Sequence, residues 1–280
     1  MRKLIIIGTL FFLFAQCFLF TACHSRKDKS LHEEPPPDEN PAEQVTPKDL
    51  FDKGIEWAEK GDYEKALEFF NKVLEEDPEY TSAYYYRGHM WEEKGDLDKA
   101  ISDYTRILEI NPELVKAYHD RGTAWGKKGE YEKAIADLDK ALEAEPNEAV
   151  LYDTRGNAWQ MKGNYDRAIN DYVRALELNP SLFVPYNNLA WLLATCSDPA
   201  YRSGNKALEL AKRAVELNHD VSMLDTLAAA YAEAGKFDDA VETMKKIIRL
   251  AKESGKTEHL RIYTEHLESY KARKPWRVKK

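Results

Sequence analysis

The side chains best suited to chemistry in this sequence are His89 and His119, which share a folded neighbourhood with Glu92, Glu93 and Asp153, and the thiol of Cys196. Imidazole and carboxylate together are the donor set of a zinc site and also of a general acid–base pair. The spacing supports neither. No H-E-x-x-H or paired C-x-x-C is present, so the histidines read as ordinary surface residues, and no metal or other cofactor is expected. Cys196 has no base that the sequence can identify beside it and reads as buried or inert. His219 and His259 read as helix-end or surface residues. Phosphate-cradling and nucleophile-elbow motifs are absent: there is no G-x-x-x-x-G-K-S/T, no G-x-G-x-x-G after a strand and no G-x-S-x-G. A binding protein without covalent chemistry is the expectation; an enzyme with an unrecognised site remains the alternative.

Composition narrows the partners. The 280 residues carry Lys plus Arg 41 against Asp plus Glu 49, a net charge of −8, so nucleic acid, which needs a clustered cation surplus, is not an expected partner. Three cysteines, Cys17, Cys23 and Cys196, exclude a disulfide framework.

The elements that must position these residues come from a repeat. Asp77-Pro78, Asn111-Pro112, Glu145-Pro146 and Asn179-Pro180 recur every 34 residues, and the same step relates Gly54, Gly88, Gly122 and Gly156, as it does Trp57, Trp91, Trp125 and Trp159. Two weaker copies follow, so six units are expected at 47–80, 81–114, 115–148, 149–182, 183–220 and 221–254. Within a unit, Leu97, Ala100, Ile101, Tyr104, Ile107 and Leu108 fall at steps of three and four, one face of an α-helix. Each unit therefore reads as two helices joined at Gly95-Asp96 or its counterpart and stopped by the proline.

These units resemble the tetratricopeptide repeat, whose signature W-x2-L-G-x2-Y, A, F and P appears here as Tyr84-x2-Arg87-Gly88-x2-Trp91, Ala100, Tyr104 and Pro112. The resemblance implies an all-α, right-handed α-solenoid of about six helix pairs, with a capping helix from about Thr257 to Ala272 and a concave face lined by the first helices. It also implies partner proteins or peptides, held by groove residues that include Tyr85, His89, His119, Asn157, Asn187 and Trp191. Where the signature has Leu, three units have Arg87, Arg121 and Arg155, each with an aspartate sixteen residues on, at Asp103, Asp137 and Asp171. Units with Lys53, Leu189 or Leu227 there lack that aspartate. An Arg–Asp pair bridging the two helices of one unit is expected.

Outside the repeats, Met1-Arg2-Lys3 precedes the apolar run Leu4 to Phe20 and then Thr21-Ala22-Cys23, which reads as an export signal spanning 1–22. Small residues before a cysteine resemble the bacterial lipobox, with Cys23 as the lipidated residue and Phe20 as a departure from the usual Leu. The alternative is an uncleaved membrane anchor. Ser25 in place of Asp resembles outer-membrane sorting. Residues 23–46, rich in proline and charge, read as a tether reaching on the order of 30 Å. The last ten residues, KARKPWRVKK, hold six cations and one tryptophan, a combination suited to anionic lipid or an acidic partner, or to a frayed solvated tail. The expected function is a membrane-anchored scaffold in the cell envelope; the alternative is a pilotin-like or assembly-factor lipoprotein of a secretion or pilus system. The oligomeric state is not legible.

Overall fold

The computed structural model describes residues 45–255 and 257–278. The first helix is set by its own start. The Thr46 hydroxyl accepts the Asp49 amide while the Asp49 carboxylate accepts the Thr46 amide, and Pro47 supplies the helical φ at the first position. Thirteen α-helices follow among the described residues: α1 (Pro47–Glu59), α2 (Tyr63–Glu76), α3 (Thr81–Glu93), α4 (Leu97–Ile110), α5 (Val115–Lys128), α6 (Tyr131–Ala144), α7 (Ala149–Lys162), α8 (Tyr165–Leu178), α9 (Phe183–Thr195), α10 (Gly204–Leu217), α11 (Val221–Glu233), α12 (Phe237–Glu253) and α13 (Leu260–Lys271). The first twelve form six hairpins. The fifth has a longer link that contains a 3-10 turn at Pro199–Tyr201.

Local sequence explains each boundary. Asp62, Asp96 and Asn164 precede the second helices of their hairpins, and their side chains accept the amide three residues on. The turn residue before them must have a left-handed backbone, as at Gly95 with φ +79, which a residue with a Cβ resists. At the other end the chain goes extended at Asn111, φ −133, ahead of Pro112.

Packing within a hairpin turns on a glycine in the first helix. A Cβ on Gly88 would lie 2.8 Å from the Tyr104 ring, and one on Gly156 would lie 2.9 Å from the Tyr172 ring. Tyr104 and Tyr172 are fully buried, with their hydroxyls donating to Glu92 (2.8 Å) and Gln160 (3.0 Å). Tyrosine at this position thus coincides with a polar residue twelve earlier; in the first and third hairpins Phe70 and Leu138 face Ala58 and Gly126 instead. The repeated tryptophans, which the sequence suggests as filler between hairpins, stay half-buried and are flanked by cations: Lys94 and Lys99 sit 5.8 and 4.0 Å from the Trp91 ring, and Lys128 and Lys133 sit 5.5 and 4.4 Å from Trp125.

The arginines do more than the sequence suggests. Arg87 donates through Nε and Nη2 to Asp103 at 2.9 and 2.6 Å, Arg121 to Asp137 at 2.8 and 2.7 Å, and Arg155 to Asp171 at 2.8 and 2.8 Å. In each case Nη1 also reaches back to the preceding hairpin, to Asn71, Thr105 and Asp139 respectively. One guanidinium thereby ties three helices. The aspartates are buried, and burial pushes the Asp103 carboxyl up against the opposing pull of Arg87, so part of the attraction is spent on desolvation.

α13 packs on α12, and its His266, 1% exposed, donates from Nδ1 to the Asp225 carboxylate of α11 at 2.9 Å. Beyond α13 the chain turns back through Arg273, φ 54, instead of fraying. Trp276 lies 4.4 Å from the His266 ring, Arg277 bonds Glu233 of α11 and the Ala194 carbonyl of α9, and the Val278 amide donates to the Thr195 carbonyl. Residues 275–277 are therefore half-buried against the array, which differs from the frayed, solvated tail that was one expectation for this end. The expected signal, Cys23 and the tether up to residue 44 lie outside the described residues. No described helix is long and apolar enough to cross a membrane.

Candidate functional site

Successive first helices lie side by side, and a polar ladder crosses from each to the next at a step of 35 residues. His119 Nε2 is 3.2 Å from the Thr154 hydroxyl, Asn188 Nδ2 donates to Asp153 at 3.0 Å, and Lys127 Nζ donates to Glu92 at 3.2 Å. The ladder is densest on α3, α5 and α7. There Asp120 takes His119 Nδ1 at 3.1 Å on one oxygen and has His89 Nε2 3.6 Å from the other. His89 Nδ1 lies 3.5 Å from Glu92, and the Tyr85 ring stands edge-on to His89 at 4.5 Å with Lys116 4.3 Å above its face.

The electrostatics of this face divide. Burial acts to raise the Asp120 carboxyl, but the hydrogen bond from His119 and the His89 imidazole close to its other oxygen outweigh it and hold the group below the usual carboxylate range. Asp153 has an amide where Asp120 has two imidazoles, so burial wins and pushes it up to about 7. Burial, with Asp120 beside it, raises the Tyr85 hydroxyl. Buried carboxylates, the imidazoles beside them and a tyrosine edge thus occupy successive first helices of the array.

The structure brings Tyr85, His89 and His119 together on this face and places Asn157 exposed beside it on α7. Asn187 is half-buried on α9, with its Oδ1 unpaired among the described residues. Trp191 is partly buried on α9, where it packs against the apolar cluster that α8 to α11 share, with the His266 ring of α13 6.2 Å from its own. The histidines also differ from the surface residues expected, being three-quarters buried at the side chain and engaged by carboxylates. Even so, no group of three or more His, Cys, Asp or Glu poised for a metal occurs among the described residues. Cys196 is buried just past α9, where its carbonyl accepts from Arg202. Sequence reasoning placed Glu92 beside the histidines but missed Asp120, His266 and Glu233. For Asp120 the signal was present, a charged residue at a repeat position that other units fill with Tyr86 and Thr154.

A stack of helical hairpins with this step and this inner face is an α-solenoid of the protein-binding kind. Family models of the tetratricopeptide repeat match residues 47–80, 81–114, 115–148, 154–182 and 224–254, more than half of the chain, which belongs to that family. The stretch 183–223 falls between the matches, where the fifth hairpin has its longer link. Similar solved structures include PilW, a type IV pilus biogenesis factor, with TM-score 0.66, 19% identity and coverage of 79% of this chain and 99% of PilW. A tetratricopeptide repeat protein from Parabacteroides merdae gives 0.62, 19%, 80% and 93%, and the APC/C assembly Cut9–Hcn1 gives 0.68, 16%, 82% and 44%. At these identities the likeness is one of fold. Among curated proteins, an uncharacterised protein of Methanocaldococcus jannaschii is 51% identical over 35 residues, 12% of this chain and 41% of that protein, so the match spans less than half of the relative. The repeats make this chain a scaffold for protein–protein interaction.

Proposed function

We propose that the chain is an exported lipoprotein, anchored through Cys23, whose inner face holds partner peptides or proteins close to a membrane of the cell envelope. The observation that carries the binding role is the contrast along the first helices. Packing positions repeat from hairpin to hairpin, whereas Tyr85, His119 and Asp153 differ at one repeat position and His89 and Asn157 at another, and Tyr85, His89, Asp120 and His119 form one contact group that reaches Thr154 of the next hairpin. A face that only had to be wet would need neither the buried carboxylates nor their imidazole partners. The anchoring half rests on the apolar run that ends Thr21-Ala22-Cys23 and on the proline-rich stretch after it.

Crosslinking with mass spectrometry in the native host tests the face: Tyr85→Ala with Asn157→Ala is expected to lose partners that the wild type captures, and full retention of every partner refutes the reading. Replacing Cys23 by Ser should release the protein from membranes; retention favours an uncleaved anchor. The alternative, an assembly factor for a secretion or pilus system, predicts a single client recovered at fixed stoichiometry in the same experiment.

A further inference from the structure

The segment that follows α13 is held the way a peptide ligand is held. Its turn is fixed by reciprocal contacts, with the Lys274 amide donating to the Ser269 carbonyl at 3.0 Å and the Ser269 hydroxyl donating to the Lys274 carbonyl at 2.8 Å. From there three kinds of recognition follow in four residues. The Trp276 ring lies in an aromatic slot 4.4 Å from His266 and joins the apolar cluster of α11, α12 and α13. The Arg277 guanidinium donates to the Glu233 carboxylate at 2.5 Å and to the Ala194 carbonyl at 3.1 Å, and Glu233 is held in place from its other oxygen by Arg202 at 3.3 Å. The Val278 amide donates to the Thr195 carbonyl at 3.1 Å. Ala194 and Thr195 end α9, so their carbonyls have no partner further along the helix, and a cation beside them suits the negative end of its dipole.

The fit is incomplete in a telling way. His266 is 1% exposed and Tyr270 fully buried, yet His266 Nε2 and the Tyr270 hydroxyl have no hydrogen-bond partner among the described residues. Two buried polar atoms in the slot that takes the tryptophan are left unpaired, which weakens the self-docked state. An occupant with a hydrogen-bonding group at that place would satisfy them.

We propose that the inner face of the last two hairpins, between α9, α11 and α13, is a receptor for an extended aromatic–arginine segment of a partner protein, and that Pro275–Val278 is the chain's own occupant, which the partner displaces. This extends the scaffold reading to a second place on the solenoid and does not require hairpins two to four to bind anything.

The test uses the full chain and a fluorescent peptide of sequence KPWRVKK, followed by anisotropy. The tethered segment competes at an effective concentration on the order of millimolar, so the wild type should bind the peptide at least about tenfold more weakly than a chain carrying Trp276→Ala and Arg277→Glu. Adding Glu233→Gln to that variant should weaken its binding about tenfold or more. Equal binding by wild type and variant, no binding to a variant whose circular dichroism and melting show it folded, or indifference to Glu233→Gln overturns the proposal. Should the variant fail to fold, hydrogen exchange on the wild type decides: excess peptide must accelerate exchange at the Val278 amide, and an unchanged rate rejects the receptor. Because the crosslinking test alters only α3 and α7, failure of one experiment leaves the other readable.

Discussion

Asp153 is 8% exposed on α7, with Asn188 as its hydrogen-bond partner and no guanidinium beside it. Burial therefore holds its proton to about pH 7, well above the ordinary range for aspartate. The sign of the linkage follows. The folded state binds this proton more tightly than the unfolded state, so the contribution to stability is fully present below about pH 4 and is lost as the pH rises through 7. Asp153→Asn is expected to leave stability near pH 4 almost unchanged and to raise it at pH 8 by about 4 kcal/mol. Urea denaturation at the two pH values checks this; the same pH slope in both proteins contradicts it.

At the scale of elements, the arginine clasp is the feature to perturb. Arg121 joins α5 to α6 through Asp137 and to α4 through Thr105. Arg121→Leu leaves Asp137, 7% exposed, without its cation, and should cost about 3–5 kcal/mol in chemical denaturation. Arg121→Leu with Asp137→Leu should recover most of that loss, since apolar residues of similar volume replace a buried pair at little net cost. A double variant as unstable as the single one would mean that the link to Thr105, and not the pair, sets the stability. The sixteen-residue step between each arginine and its aspartate was legible because both ends recur in one unit. The reach to Asn71, Thr105 and Asp139 was not, because those three residues share a position but no chemistry. The helices themselves were legible from apolar spacing, glycine turns and proline stops. The 35-residue ladder was hidden for a physical reason: it crosses unit boundaries and joins unlike side chains, so no single repeat contains it. The docking of residues 275–278 had no periodic signal at all, since it depends on Glu233 and His266, which meet only after the last hairpins have stacked.

Over the whole molecule the clasps are unevenly placed. They join the first hairpin to the second, the second to the third and the third to the fourth, and then stop, because Leu189 stands where an arginine would reach from the fifth hairpin to the fourth. Beyond that point α9 to α13 are joined by apolar packing and the docked segment, and the joint between α8 and α9 has no clasp: it is held by an apolar cluster that takes in Ala168 and Tyr172 of α8 together with Leu189, Ala190 and Leu192 of α9, and by the Asn188–Asp153 and Tyr201–Asp166 bonds. Stability in a solenoid is the sum of its units and their interfaces, so the two blocks should open separately. Native-state hydrogen exchange is expected to give one opening free energy for α1–α8 and another for α9–α13, and a single common value across all helices would refute the division. The uneven placement of the clasps has a mechanical counterpart. Pulled lengthwise, the first four hairpins would share the load through three clasped joints, while the α8–α9 joint would carry it on apolar packing and two polar bonds.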